Sequence, residues 1–224
     1  LIQKMIIEKC NKAGKPVITA TQMLESMIKS PVPTRAEVSD IANAILDGTD
    51  AIMLSEETTL GDYPIEAVKV MAKVARRVES DFAHKKINGE RKIRSENSKD
   101  TADAITSEAV DIARGVDAGF IVGLTESGFS ARMISRYRPA QDIVAMTPNK
   151  NTFGKLILSY GVVPVLIKKF KTLNEAMVIV RNHFIKNKLA KKGDKVVVVA
   201  GMPFCKKGGS NMILVEKIYA HFDI

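Results

Sequence analysis

A chain of 224 residues, 46% of them apolar, is long enough to bury one large core or two small ones. Its mean hydropathy is near zero, no apolar run reaches the ~20 residues of a bilayer-spanning helix, and the opening Leu1-Ile2-Gln3-Lys4-Met5-Ile6-Ile7 is too short and mixed for a signal peptide. The net charge of +9 is uneven, with 10 Lys and Arg against 11 Asp and Glu in residues 1–80 but 24 against 14 in residues 81–224.

In chain order, residues 2–12 read as a helix carrying Ile2, Met5, Ile6 and Cys10 at helical spacing, ended by Gly14 and Pro16. Residues 17–20 form a strand, and residues 22–27 a loop or short helical turn. After the stiff Pro31-Val32-Pro33, Thr34 is spaced for a capping box with Glu37, opening a helix through Ile41, Ala42, Ile45 and Leu46 to Gly48. A strand over residues 51–54 follows. Pro64 then starts a long helix with Ala67, Val68, Met71, Val74, Ala75 and Val78 along one face. Such alternation predicts parallel βαβ units.

Residues 81–100 lack apolar periodicity and read as a linker between a first domain, 1–80, and a second, 101–224. In the second, helices are expected over 101–114, 128–137, 151–158 and 173–189. Strands are expected over 118–124, 143–146, 162–167, 195–200 and 212–219. The chain has no initiator Met and opens inside an amphipathic pattern, so it reads as a piece of something longer.

Chemistry in a βα architecture gathers at the carboxyl ends of the strands. Thr21 directly follows the first strand, and its hydroxyl both donates and accepts, as a proton relay requires; an N-cap or loop hydrogen bond is the plainer reading from spacing alone. Ser55, followed by Glu56 and Glu57, holds the same place one unit later, where it either orients a ligand or caps a helix. Arg35 reads as an exposed arginine. In the second half, Thr125-Glu126-Ser127-Gly128-Phe129-Ser130 lies between a strand and a helix, offering N–H groups and hydroxyls suited to a phosphate or to plain capping. The flexible, positive Lys206-Lys207-Gly208-Gly209-Ser210 follows a later strand of the same alternation, so both loops are expected on one sheet edge.

The basic half suits phosphorylated small molecules, but a solvated lysine-rich surface is the simpler reading, and with few aromatic residues nucleic acid is not expected. His84, His183 and His221 are isolated, and no metal motif, P-loop or dinucleotide fingerprint occurs. Cys10 and Cys205 are too far apart in sequence to read as a metal knuckle or redox pair, as suits free thiols in a cytosolic protein.

The segments ATQMLESM (residues 20–27), PTRAEVSDIANAILDG (33–48) and IMLSEET…GDYP (52–64) occur together and in order, and this run closely resembles the end of the catalytic barrel of pyruvate kinases. Residues 100–224 resemble that family's carboxyl-terminal domain. The resemblance implies a partial (β/α)8 barrel segment followed by a three-layer α/β domain with a mostly parallel sheet. It further implies phosphoryl transfer from phosphoenolpyruvate to ADP, giving pyruvate and ATP, in cytosolic glycolysis and in a homotetramer.

By the same resemblance, Thr21 is the residue that helps protonate the enolate, Ser55 lies near the substrate, and Arg35 sits at a subunit contact close to the active site. Leu60 stands where some relatives carry a lysine, so nucleotide contacts of that lysine are not carried over. Mg²⁺ and K⁺ are implied, with ligands on strands upstream of Leu1, and none is expected to bind this chain, which is expected to be inactive alone. The loops 125–130 and 206–210 match those that bind an activating sugar phosphate. With Glu126 in place, the TESG form is similar to bacterial members that respond to sugar monophosphates or AMP, and loss of effector response is the other reading. The rival class is a non-catalytic regulatory or assembly module that binds a phosphorylated metabolite.

Overall fold

The computed structural model describes residues 1–84, 100–204 and 209–219, and the chain divides into two compact units, Leu1–Lys92 and Ile93–Ile224. The first unit runs α1 (Ile2–Lys12), β1 (Ile18–Ala20), a 3-10 turn (Glu25–Ile28), α2 (Arg35–Asp47), β2 (Ala51–Met53), α3 (Glu56–Thr59) and α4 (Pro64–His84). β1 and β2 pair in parallel, with Ile18, Thr19 and Ala20 opposite Ala51, Ile52 and Met53. This parallel pairing requires the crossover that α2 supplies.

Local chemistry sets the bounds of α2. The Thr34–Glu37 capping box is present, and Gly48 takes the left-handed conformation, φ 96°, that ends the helix. Ile41 and Ala44 of α2 pack with Met23, Leu24 and Met27 of the turn region and with Ala67 and Met71 of α4. Two expectations are corrected. In α1, Ile7 and Asn11 are the buried residues, while Ile2, Met5 and Ile6 are exposed; Asn11 Nδ2 donates to Gly48 O at 3.0 Å, which fixes that face of α1 on the end of α2. In α4, Val68 is exposed, off the face that Ala67 and Met71 bury. The short α3 begins right after Ser55, where helix entry was one of the two readings, although Glu-Glu-Thr-Thr carries no apolar periodicity. α4 continues to His84, into the segment expected as a linker; residues 85–99 of that segment lie outside the described residues.

The second unit contains α5 (Thr101–Gly115), β3 (Phe120–Leu124), α6 (Phe129–Ser135), β4 (Asp142–Thr147), α7 (Lys150–Leu156), β5 (Val162–Leu166), α8 (Leu173–Lys186), β6 (Lys195–Ala200) and β7 (Met212–Lys217). Its sheet has the order β5-β4-β3-β6-β7, with only β7 antiparallel. Alternate strand residues feed opposite faces. Ile121, Ile143, Ala145, Val197 and Val199 pack against α5, α6 and α7 on one side. Val122, Val144, Met146, Val196 and Val198 pack against α8 on the other. The result is three layers with a parallel-dominated sheet, as the alternation predicted. The three central strands, β3, β4 and β6, are buried on both faces, and accordingly read as unbroken apolar runs such as Val196–Val199.

Candidate functional site

In the first unit the parallel pairing puts the carboxyl ends of β1 and β2 at the same end of the sheet, so Thr21 and the Ser55 segment leave it side by side. Thr21 is exposed, and its backbone is unusual: φ is 72° at Thr21 and 54° at Gln22. A β-branched residue in the left-handed region is strained by about 1–3 kcal/mol, and such strain collects at functional sites. The Thr21 hydroxyl donates to Ala20 O at 2.6 Å, which engages its proton and leaves its oxygen able to accept. It does not cap a helix.

Ser55 is exposed and stands at the amino terminus of α3, but its side chain makes no capping bond. Its carbonyl instead accepts from the Thr58 and Thr59 hydroxyls, each at 3.1 Å. Arg35 is the exposed first residue of α2.

Two carboxylates that sequence reasoning gave other roles, or none, hold this rim. Glu37, half-buried, takes the Ser26 N–H at 2.7 Å on one oxygen. On the other it takes the Ser26 hydroxyl at 2.6 Å, the Thr34 N–H at 2.7 Å and the Thr34 hydroxyl at 2.8 Å. Glu57 is 2% exposed. It accepts the Leu24 N–H on Oε1 at 3.1 Å and the Ser55 N–H on Oε2 at 2.7 Å. Burial alone would raise both carboxyls. The donors outweigh it, so Glu37 and Glu57 both lie below the usual carboxylate value. The spacing Ser55-x-Glu57 was a faint signal, but nothing local separates buried Glu57 from exposed Glu56.

In the second unit the strand order reverses direction between β3 and β6, the topological switch point at which doubly wound sheets hold ligands beyond their carboxyl ends. Residues 125–130 lie there, and so do Gly209 and Ser210, the described part of the second predicted loop. The Thr125 hydroxyl, buried, accepts the Gly128 N–H at 2.9 Å. Gly128 has φ 80°, the left-handed conformation that favours glycine, and a Cβ there would also press on Leu156 Cδ2 at 3.1 Å. Ser127 is exposed, and its carbonyl accepts from Arg132 Nη1 at 3.2 Å; burial pushes the Arg132 guanidinium down from its ordinary value. Phe129 opens α6, half-buried.

Ser130 and Ser210, 80 residues apart, are brought together: the Ser210 hydroxyl donates to that of Ser130 at 2.7 Å, and both are buried. Gly209 is exposed, and its carbonyl would be 2.8 Å from a Cβ on Gly201, so the two ends of this loop close backbone to backbone. Asn211, unnoticed in the sequence, pins the same loop by bonding Met202 N and O at 2.8 and 2.9 Å. Lys206, Lys207 and Gly208 lie outside the described residues.

The first unit is therefore a pair of consecutive βα elements with hydroxyls on the carboxyl rim, and the second a doubly wound α/β domain. Residues 1–68 match the family "Pyruvate kinase, barrel domain", and residues 103–216 match "Pyruvate kinase, alpha/beta domain". The chain belongs to the pyruvate kinase family. It is 47% identical over 218 residues to the pyruvate kinase of Clostridium acetobutylicum, covering 97% of this chain and 46% of that protein. It is 44% identical to that of Dictyostelium discoideum, covering 95% and 43%. A crystal structure of a pyruvate kinase from Cryptosporidium parvum superposes with a TM-score of 0.82 at 37% identity, covering 96% of this chain and 42% of that one. The chain thus spans less than half the length of these relatives.

Among the described residues no helix is long and apolar enough to cross a membrane, and no group of three His, Cys, Asp or Glu is placed to hold a metal ion. The two rim carboxylates, Glu37 and Glu57, are engaged by N–H and O–H donors, which compete with a cation for their oxygens.

Proposed function

We propose that this chain supplies the last part of the barrel rim and the α/β domain of a pyruvate kinase, transferring phosphoryl from phosphoenolpyruvate to ADP to give pyruvate and ATP. The observation that carries the reading is Thr21: an exposed residue on strained backbone at a strand's carboxyl end, with a hydroxyl able both to donate and to accept. In that role the hydroxyl releases its bond to Ala20 O and passes its proton to the carbon of the enolate left when the phosphoryl departs, while its oxygen takes a proton from water, so the threonine ends neutral. Ser55 orients a ligand or water beside it, and Arg35 meets a neighbouring subunit of a homotetramer. Mg²⁺ and K⁺ belong to other strands of such a barrel, and the setting is the cytoplasm.

The test joins this chain behind the amino-terminal half of the Clostridium acetobutylicum relative and measures pyruvate formation. The joined protein is expected to turn over, and this chain alone is not. Pyruvate formation by the chain alone, or none by a folded joined protein, contradicts the proposal.

A second reading applies to the α/β domain: binding of a sugar phosphate or AMP by the segments 125–130 and 206–210, whose described residues Ser130 and Ser210 meet. The switch-point position and the Ser130–Ser210 contact support it, and it also suits a non-catalytic module. Thermal shifts with glucose 6-phosphate, fructose 1,6-bisphosphate and AMP test it; no stabilisation by any of them contradicts it.

A further inference from the structure

We propose that Glu57 is a positioning residue: its buried carboxylate ties the Thr21 loop to the Ser55 loop, so that both hydroxyls ride on one rigid body. The clamp rests on geometry alone; its catalytic consequence rests on the pyruvate kinase reading above.

A carboxylate 2% exposed is tolerated only where hydrogen bonds replace its lost water. Here each oxygen serves a different loop, with Oε1 on Leu24 N–H and Oε2 on Ser55 N–H. The two loops are stitched again a few residues further on, where the Asp62 N–H donates to Ile28 O at 2.9 Å. They also touch without side chains between them, since a Cβ on Gly61 would lie 3.3 Å from Ile28 Cα.

The strained pair explains why the clamp matters. Thr21 and Gln22 sit between the β1 ladder, which ends at Ala20, and the anchored Met23 and Leu24, 5% and 0% exposed. A left-handed threonine persists only when structure on both sides over-determines it. Glu57 holds the downstream side through Leu24, and its other oxygen fixes the start of the Ser55 segment against the same point. Releasing it would let Thr21 fall back to ordinary extended or helical angles and carry its hydroxyl off the rim. An amide cannot substitute, because one oxygen accepts but the NH₂ opposes the second N–H.

The test is amide hydrogen exchange of the whole 224-residue chain, read by NMR. Glu57→Gln is expected to speed exchange at Leu24 and Ser55 together by at least about tenfold, while Ser26 and Thr34, held by Glu37, change less than about twofold. Glu37→Gln is expected to do the reverse. Acceleration at only one of Leu24 and Ser55, or at neither, overturns the clamp. Should Glu57→Gln fail to fold, the unmutated chain still decides: scalar couplings across the hydrogen bonds must connect the Leu24 and Ser55 amide nitrogens to the Glu57 carboxyl carbon, and the lack of either overturns the proposal.

In the joined enzyme, Glu57→Gln is expected to lower kcat by at least about tenfold and to move KM for phosphoenolpyruvate by less than about threefold. Unchanged kcat, or a rise in KM alone, overturns the positioning role. An inactive unmutated joined enzyme overturns the pyruvate kinase reading, and the positioning role with it, but leaves the exchange results standing.

Discussion

Replacing Gly61 with alanine tests how tightly the Ser55 segment is folded on itself and held beside Ile28 of the other rim loop. The added Cβ would lie 2.5 Å from Glu57 O and 3.2 Å from Glu57 C, with Ile28 Cα at 3.3 Å. All three neighbours are backbone atoms, so no rotamer change relieves the contact. Cβ atoms essentially never approach within 3.0 Å, so Glu57 O and Gly61, both in the Ser55 segment, must part by at least 0.5 Å, which shifts that segment against Ile28 on the other loop. Overpacking of this kind costs about 1–3 kcal/mol. The strain falls on the hydrogen bond from Asp62 N–H to Ile28 O, which should break locally before the unit unfolds. At ~1.4 kcal/mol per tenfold, amide exchange at Asp62 should quicken about 5- to 150-fold. The assay is hydrogen exchange read at Asp62 and Leu24, beside amides of the β1–β2 ladder as internal reference. Exchange at Asp62 within twofold of the unmutated chain would refute the reasoning, because the loops would then have yielded freely.

Gly154→Ala makes the opposite change: it is exposed inside α7 with nothing within 4 Å of a new Cβ, so it should stabilise the second unit by about 0.5–1 kcal/mol in urea melts. The buried pair of Asp103 and Arg136, their side chains 7% and 6% exposed, ties α5 to the residue that ends α6, and Tyr137 also donates to Asp103. Asp103→Ala should therefore cost about 3–5 kcal/mol, lowering Tm of this unit by more than about 10 °C in circular dichroism melts; a drop below ~3 °C contradicts it. Glu37 and Glu57 titrate below their ordinary value of 4.5, so their contribution is complete above that value and fades as pH falls through the lower folded values. Exchange at Ser26, Leu24 and Ser55 should quicken below about pH 4.5 beyond what the solvent rate explains, and Glu57→Gln should remove that dependence at Leu24 and Ser55.

Elements whose causes lie within a few residues were legible in the sequence. Thr34, Glu37 and Gly48 mark both ends of α2 because capping is local chemistry. The strands of the second unit are apolar runs long enough to signal themselves. Where the cause is distant, the sequence said less. The buried face of α1 follows from Asn11 meeting Gly48, 37 residues on, and no spacing rule contains that contact. Glu57 looks like its neighbour Glu56 until Leu24, 33 residues away, folds over it. Ser130 and Ser210 were both candidates, but their direct bond came only from the order of β3, β6 and β7 in the sheet. The strain at Thr21 had no sequence signal, since a threonine in left-handed backbone runs against its own preference.

The most direct measurement of the account is solvent exchange of the pyruvate methyl protons, followed by NMR in D₂O with the joined enzyme. If the Thr21 hydroxyl handles the proton at the enolate carbon, the unmutated protein exchanges deuterium into pyruvate, and Thr21→Val slows this by about 10²–10⁴-fold while Thr21→Ser retains most of it. Full exchange by a folded Thr21→Val protein would contradict the role given to this residue.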